Sequence, residues 1–191
     1  MNTNDKRERI LTAAIDLFYE VGLDNGSIAD IAEKAQVAKG TVYLYFSSKE
    51  QLIEAAFWQC HRHDVEACQA GLDRIESAIG KLERRMENVV RWALNNPKEI
   101  RMERMYFSSP KFGQGSRYQQ QFLQFEPVDT IIRQGIARGE IKDLPSSLLG
   151  EMFFGIGAAA LNYVVDVPDA LEDENFWRAC RESVAGCLKP L

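Results

Sequence analysis

Positive charge is scarce in this chain. Of 191 residues, 23 are Lys or Arg and 28 are Asp or Glu, a net charge of −5. That balance excludes binding to a polyanion through a global basic field. Histidine is scarcer still: the two, His61 and His63, stand two positions apart. The sequence has no glycine-rich phosphate loop and no nucleophile–base arrangement. No set of catalytic roles can be assembled, so an enzyme is not expected. Uncharged apolar runs of membrane-spanning length are also missing. The longest apolar stretch, Gly150–Val165, carries Glu151, Asn162 and three glycines, and reads as a buried helix rather than a membrane span. The polar, charged N-terminus predicts no signal peptide and a cytoplasmic protein. Internal repeats and low-complexity tracts are absent.

Cysteine is sparse too. Cys60, Cys68, Cys180 and Cys187 are expected to be reduced, buried small hydrophobes. Cys60, Asp64 and Cys68 fall on one helix face beside His61 and His63, a metal- or redox-sensing pattern. A straight single helix cannot surround a tetrahedral ion, however, so no metal is expected, and no other cofactor.

The most informative stretch is Ser27–Glu50. Ser27 is a good N-cap. Ile28, Ile31, Ala32 and Ala35 recur at helical spacing, and Asp30 favours the positive end of the helix dipole. Gln36-Val37-Ala38 is a short turn with one apolar anchor. In the next helix Val42 and Phe46 face inward, leaving Lys39, Thr41, Tyr43 and Tyr45 outside. Between Ala38 and Ser48 there is no carboxylate. Such a donor-rich surface suits phosphate oxygens and base edges, and a short second helix suits a groove-reading element. Ser47 or Ser48 caps a further helix buried through Leu52, Ile53, Ala56 and Phe57. Upstream, Asp5–Val21 is amphipathic through Leu11, Ala14, Phe18 and Val21. Gly22 is its stop. Lys6, Arg7 and Arg9 are either phosphate contacts or ordinary solvated charges.

Over about residues 7–57 the chain resembles the TetR/AcrR family of transcriptional regulators. The stretches ILTAAIDLFYEVG and GSIADIAEKAQVAKGTVYLYFSSKEQL carry the likeness. The resemblance implies an all-α subunit of about nine helices. Residues 1–50 would form a three-helix, helix-turn-helix DNA-binding domain and residues 51–191 a ligand-binding and dimerisation domain. It further implies a homodimeric repressor, released from a near-palindromic double-stranded operator by a small effector. By position, Lys39, Gly40, Thr41, Leu44 and Tyr45 fall on the recognition helix. Tyr43, Lys49 and Ser27 fall where the family meets phosphate, and Lys39 is the candidate for guanine O6/N7 or, equally, for a phosphate. This sequence departs from the family at Ala29, at Ala38, which forfeits a cap worth about 1 kcal/mol, and at Gln36. Gln36 replaces a frequent glycine, so a left-handed backbone is expected there.

Residues 1–55 carry six Lys/Arg against nine Asp/Glu, 6 − 9 = −3. DNA binding must therefore rest on local placement of Lys39, Lys49 and the N-terminal basics, with few phosphate contacts and a marked salt dependence. The competing reading is a helical protein-interaction module that has lost DNA recognition, and that acidic balance motivates it.

Beyond Ser48 the pattern is helical almost throughout. Expected helices are Ser48–Ile75, Ser77–Asn95, Pro97–Phe107, Ser116–Arg138 with a bend near Pro127, Pro145–Asp166 and Glu172–Leu188. Trp58, Trp92, Met102, Met105, Tyr106, Phe122 and Phe125 are pocket candidates by family position, for a mainly apolar or aromatic effector, although most such residues pack in any core. On the last two helices a small-residue face and an apolar stripe place Phe153, Gly157, Ala160, Leu161, Trp177, Cys180 and Val184 in the expected homodimer interface.

Overall fold

The computed structural model describes residues 3–112 and 127–190. Among the described residues there are nine α-helices and no strand: α1 (Thr3–Asn25), α2 (Ile28–Lys34), α3 (Lys39–Tyr45), α4 (Lys49–Cys68), α5 (Ala78–Asn95), α6 (Pro97–Ser108), α7 (Pro127–Ala137), α8 (Ser146–Asp166) and α9 (Glu174–Leu188). They form two compact units, one of residues 1–63 and 96–115, the other of residues 64–95 and 116–191.

In the N-terminal unit, Ile10, Leu11, Ala14 and Phe18 of α1, Ile28 and Ile31 of α2, Val42 of α3 and Leu52, Ala56 and Phe57 of α4 are all buried, with α2 packed on both α1 and α3. Val21, expected in this stripe, is exposed, and Leu23 is buried instead. The cause is Gly22, whose φ 83° and ψ 167° break the helix in a region open essentially to glycine alone. The unit also takes in α6, which lies along α1. Lys98 reaches Asp16 at 2.6 Å, and the Arg101 guanidinium sits 5.3 Å from the Tyr19 ring centre. Met102 and Tyr106 fill the core, and Tyr106 stacks on Phe57 with centroids 4.1 Å apart.

The helix expected over Ser48–Ile75 is shorter. Gly71 (φ 76°) ends the run after Cys68 and leads into a 3-10 turn at Leu72–Arg74.

In the C-terminal unit, α5 packs on α7, α8 and α9. The Arg138–Ile141 turn locks this arrangement. Gly139 (φ 69°) reverses the chain, and the Glu140 carboxylate accepts the backbone N–H of Ala78 at 2.5 Å, capping α5. Pro127 opens α7, and the expected helical stretch before it lies outside the described residues. α8 was expected to be buried, but it is only one-sided: 28% of its most apolar window is buried. It is the one helix among the described residues long and apolar enough to cross a membrane, by length and composition only.

Candidate nucleic-acid interface

Every element around α3 is fixed by local chemistry. Ser27 caps α2: its hydroxyl accepts the Asp30 N–H at 3.2 Å, and the Asp30 carboxylate accepts from the Ser27 hydroxyl at 2.7 Å and its backbone N–H at 3.3 Å. Gln36 stands at φ 55°, the left-handed conformation expected of it and the sole such non-glycine among the described residues. Arg9 holds this turn from α1, donating to the carbonyls of Ala35 at 2.6 Å and Gln36 at 3.4 Å. Arg9 thus helps to hold the turn before α3. Ala38 precedes α3 without a side-chain cap, as its methyl requires. Ser48 caps α4 by accepting the Gln51 N–H at 3.2 Å, while Gln51 accepts the Ser47 N–H at 2.5 Å.

With Val42 and Phe46 buried, α3 turns its other side outward. Lys39 and Gly40 are exposed, Thr41 and Tyr45 half-buried, Tyr43 48% exposed and Leu44 83% exposed. Arg7, also exposed, lies 5.5 Å over the Phe46 ring centre. Two expected phosphate contacts have other partners. The Ser27 hydroxyl is held by Asp30, and Lys49 Nζ donates to the Asp24 carbonyl at 2.7 Å. Next to it, Lys111 meets Glu50 at 2.5 Å and holds its carboxyl well below the usual range, at about 2.

The pocket candidates separate. Met102 and Tyr106 are buried in the N-terminal core, and Met105 is half-buried there. Trp58 is half-buried on α4 beside an open groove of about 450 Å³, lined with Arg7, Glu8, Glu54 and Arg62 among others. This groove is polar, unlike the apolar site expected. Trp92 is half-buried in the C-terminal unit, and Phe122 and Phe125 lie outside the described residues.

All four cysteines are free thiols, Cys60, Cys68 and Cys180 buried and Cys187 half-buried. Burial, reinforced by the negative charges of Glu99 and Glu103, pushes the Cys60 thiol far above its ordinary range. Cys60 is therefore protonated at neutral pH and not a reactive thiolate. Cys68 donates to Asp64 at 3.1 Å, and exposed His63 pairs with Glu99 at 3.0 Å.

The expected pairing residues lie mostly inside the single subunit. Phe153, Ala160, Leu161, Trp177, Cys180 and Val184 are buried within the subunit and Gly157 is half-buried, because this stripe is the face through which α8 and α9 pack on each other and on α5. The faces left outside carry Leu148, Met152, Gly155, Ala159 and Tyr163 on α8, with Ala179, Ser183 and Gly186 on α9. Their signal in the sequence was an α8 apolar on more than one side.

A family model described as bacterial regulatory proteins of the tetR family matches residues 10–56. Across the whole fold, the chain is similar to a TetR-family transcription regulator from Shewanella sp. PV-4, with 30% identity, a TM-score of 0.88, and coverage of 97% of this chain and 99% of that one. The chain belongs to the TetR family. Curated relatives of this TetR-family protein match a smaller part. The HTH-type transcriptional regulator YvdT of Bacillus subtilis (strain 168) is 58% identical over 70 residues, 37% of this chain and 36% of the relative. The HTH-type transcriptional repressor KstR of Mycolicibacterium smegmatis (strain ATCC 700084 / mc(2)155) is 33% identical over 90 residues, 44% of each chain. The chain thus spans less than half the length of these two curated relatives. The proteins it matches are transcriptional regulators, not enzymes.

Proposed function

We propose that this protein is a homodimeric transcriptional repressor that binds a near-palindromic operator in the cytoplasm and is released by a small, mainly apolar or aromatic effector. The observation that carries the reading is the outer face of α3. Lys39, Tyr43 and Leu44 face solvent on a helix of seven residues that bears no carboxylate. In this reading Lys39 meets a base edge or a phosphate and Tyr43 a phosphate. Ser27 and Lys49 orient the elements that present them.

Pairing uses the outward faces of α8 and α9. A two-fold contact must be self-complementary. Leu148, Met152 and Tyr163 supply apolar area, and Gly155, Ala159, Ala179, Ser183 and Gly186 permit close approach of helices. The pair sets two α3 helices roughly 34–36 Å apart, one turn of DNA. The KstR relative is named a repressor, which supports negative control. Effector binding in residues 51–191 shifts the dimer away from DNA-competent spacing, a coupling of about 1–3 kcal/mol.

The test is a gel shift of the full-length protein on promoter DNA with unspecific competitor. Competitor-resistant, salt-sensitive binding is expected, with Tyr43→Phe and Lys39→Ala each weakening it. Equal affinity for every duplex sequence refutes the reading.

A further inference from the structure

We propose that Lys111 is a positioning residue for DNA binding: it draws the Glu50 carboxylate to itself and so shields a backbone phosphate at the start of α4 from that charge. The inference rests on the DNA-binding reading above and adds to it a residue far outside the helix-turn-helix. Charge stands against that reading. Residues 1–55 carry a net charge of −3, yet their partner is a polyanion. The first carboxylate after α3 is Glu50, in the first turn of α4. With seven residues α3 is about 10 Å long, and the major groove is about 12 Å wide. When α3 lies in the groove, α4, which begins four residues later, starts at the phosphate edge. An unmatched carboxylate there opposes binding.

The structure meets Glu50 with a cation from 61 positions away: Lys111 Nζ lies 2.5 Å from its Oε1. The turn after α6 places this lysine. Ser109 Oγ accepts the Lys111 N–H at 3.3 Å, and the Ser109 carbonyl accepts the Phe112 N–H at 3.3 Å. The Phe112 ring stacks on Tyr106 with centroids 5.3 Å apart, and Tyr106 stacks on Phe57 of α4. A packed aromatic column thus carries Lys111 to α4.

Fold stability does not account for the pair. Its side chains are 61% and 46% exposed, and ion pairs open to water add little to stability. Charge balance does account for it. Residues 96–112 hold four Lys/Arg against two Asp/Glu, 4 − 2 = +2, which offsets most of the −3. Lys98 meets Asp16 of α1 in the same manner.

The experiment selects a preferred duplex from a random pool with the full-length protein and measures its Kd for each variant. Within about one Debye length of a phosphate, one unit charge shifts affinity by about twofold. Lys111→Ala is therefore expected to weaken binding about fourfold for two subunits at low salt, with helix content unchanged and the loss fading as salt rises. Adding Glu50→Gln to that variant is expected to restore wild-type affinity, and Lys111→Arg to retain it. If Lys111→Ala binds as the wild type does, if its loss persists at high salt, or if Glu50→Gln restores nothing, the inference is overturned while DNA binding stands. If selection yields no preferred duplex, the DNA-binding reading fails and the inference falls with it.

Discussion

Gln36 offers a clean test of how the turn between α2 and α3 is held. Its φ of 55° lies in the left-handed region, which costs a residue with a Cβ roughly 1–2 kcal/mol. Glycine escapes that cost but gives back about 0.5–1 kcal/mol through its freer unfolded chain. Gln36→Gly is therefore expected to stabilise the protein by about 0.5–1 kcal/mol. The side chain is exposed, so no packing is lost. The backbone contacts survive the change, since the Gln36 N–H donates to Glu33 at 2.9 Å and its carbonyl accepts from Arg9. Urea denaturation at fixed protein concentration is the assay, because the stability of the proposed dimer would depend on concentration. The midpoint should rise with the slope unchanged, and the thermal midpoint should rise by about 1–3 °C. Gln36→Asn should fall between the two, since asparagine tolerates this conformation better than most residues, and Gln36→Ala should change little. A lower midpoint for Gln36→Gly at unchanged slope refutes the strain argument.

Gly135→Ala should destabilise by about 1–3 kcal/mol through overpacking, because its Cβ would lie 2.6 Å from Ile141 Cδ1 and 2.8 Å from the Ala78 Cβ; circular-dichroism melting measures it. Lys111→Ala should return the Glu50 carboxyl from about 2 toward its ordinary 4.5, read by carboxyl NMR titration. The sign follows from linkage: a depressed folded value gives a stabilisation complete above about 4.5 and lost as pH falls toward about 2, and the variant should lack that pH dependence. Ala38→Ser should add about 0.5–1 kcal/mol by supplying the cap α3 lacks, seen as a higher urea midpoint. Met152→Glu, a charge on the outward face of α8, should shift sedimentation toward monomer while the melted helix content stays the same; an unchanged dimer would move the pairing surface elsewhere.

Local elements were legible wherever their signals are local. The Ser27 cap, the buried stripe Ile28–Ala35, the inward Val42 and Phe46, the left-handed Gln36 and the stop at Gly22 each depend on a residue's own chemistry and near neighbours. Long-range partners were not. Nothing within four residues of Arg9 marks the carbonyl of Ala35, 26 positions away, as its acceptor. Likewise nothing near Lys49 marks Asp24. Basic residues read as phosphate contacts thus also have partners within the fold.

The sequence alone determined that the chain is helical, that it carries a helix-turn-helix near its start, and that the outer face of α3 offers donors without carboxylates, because periodicity and capping act over one or two turns. Only the tertiary structure decided which apolar residues are spare. Phe153, Trp177 and Val184 share the same helical spacing as any pairing stripe, yet burial against α5 commits them to the subunit and leaves Leu148, Met152 and Tyr163 outside. Spacing tells which residues share a face, whereas which face is covered depends on helices remote in the chain.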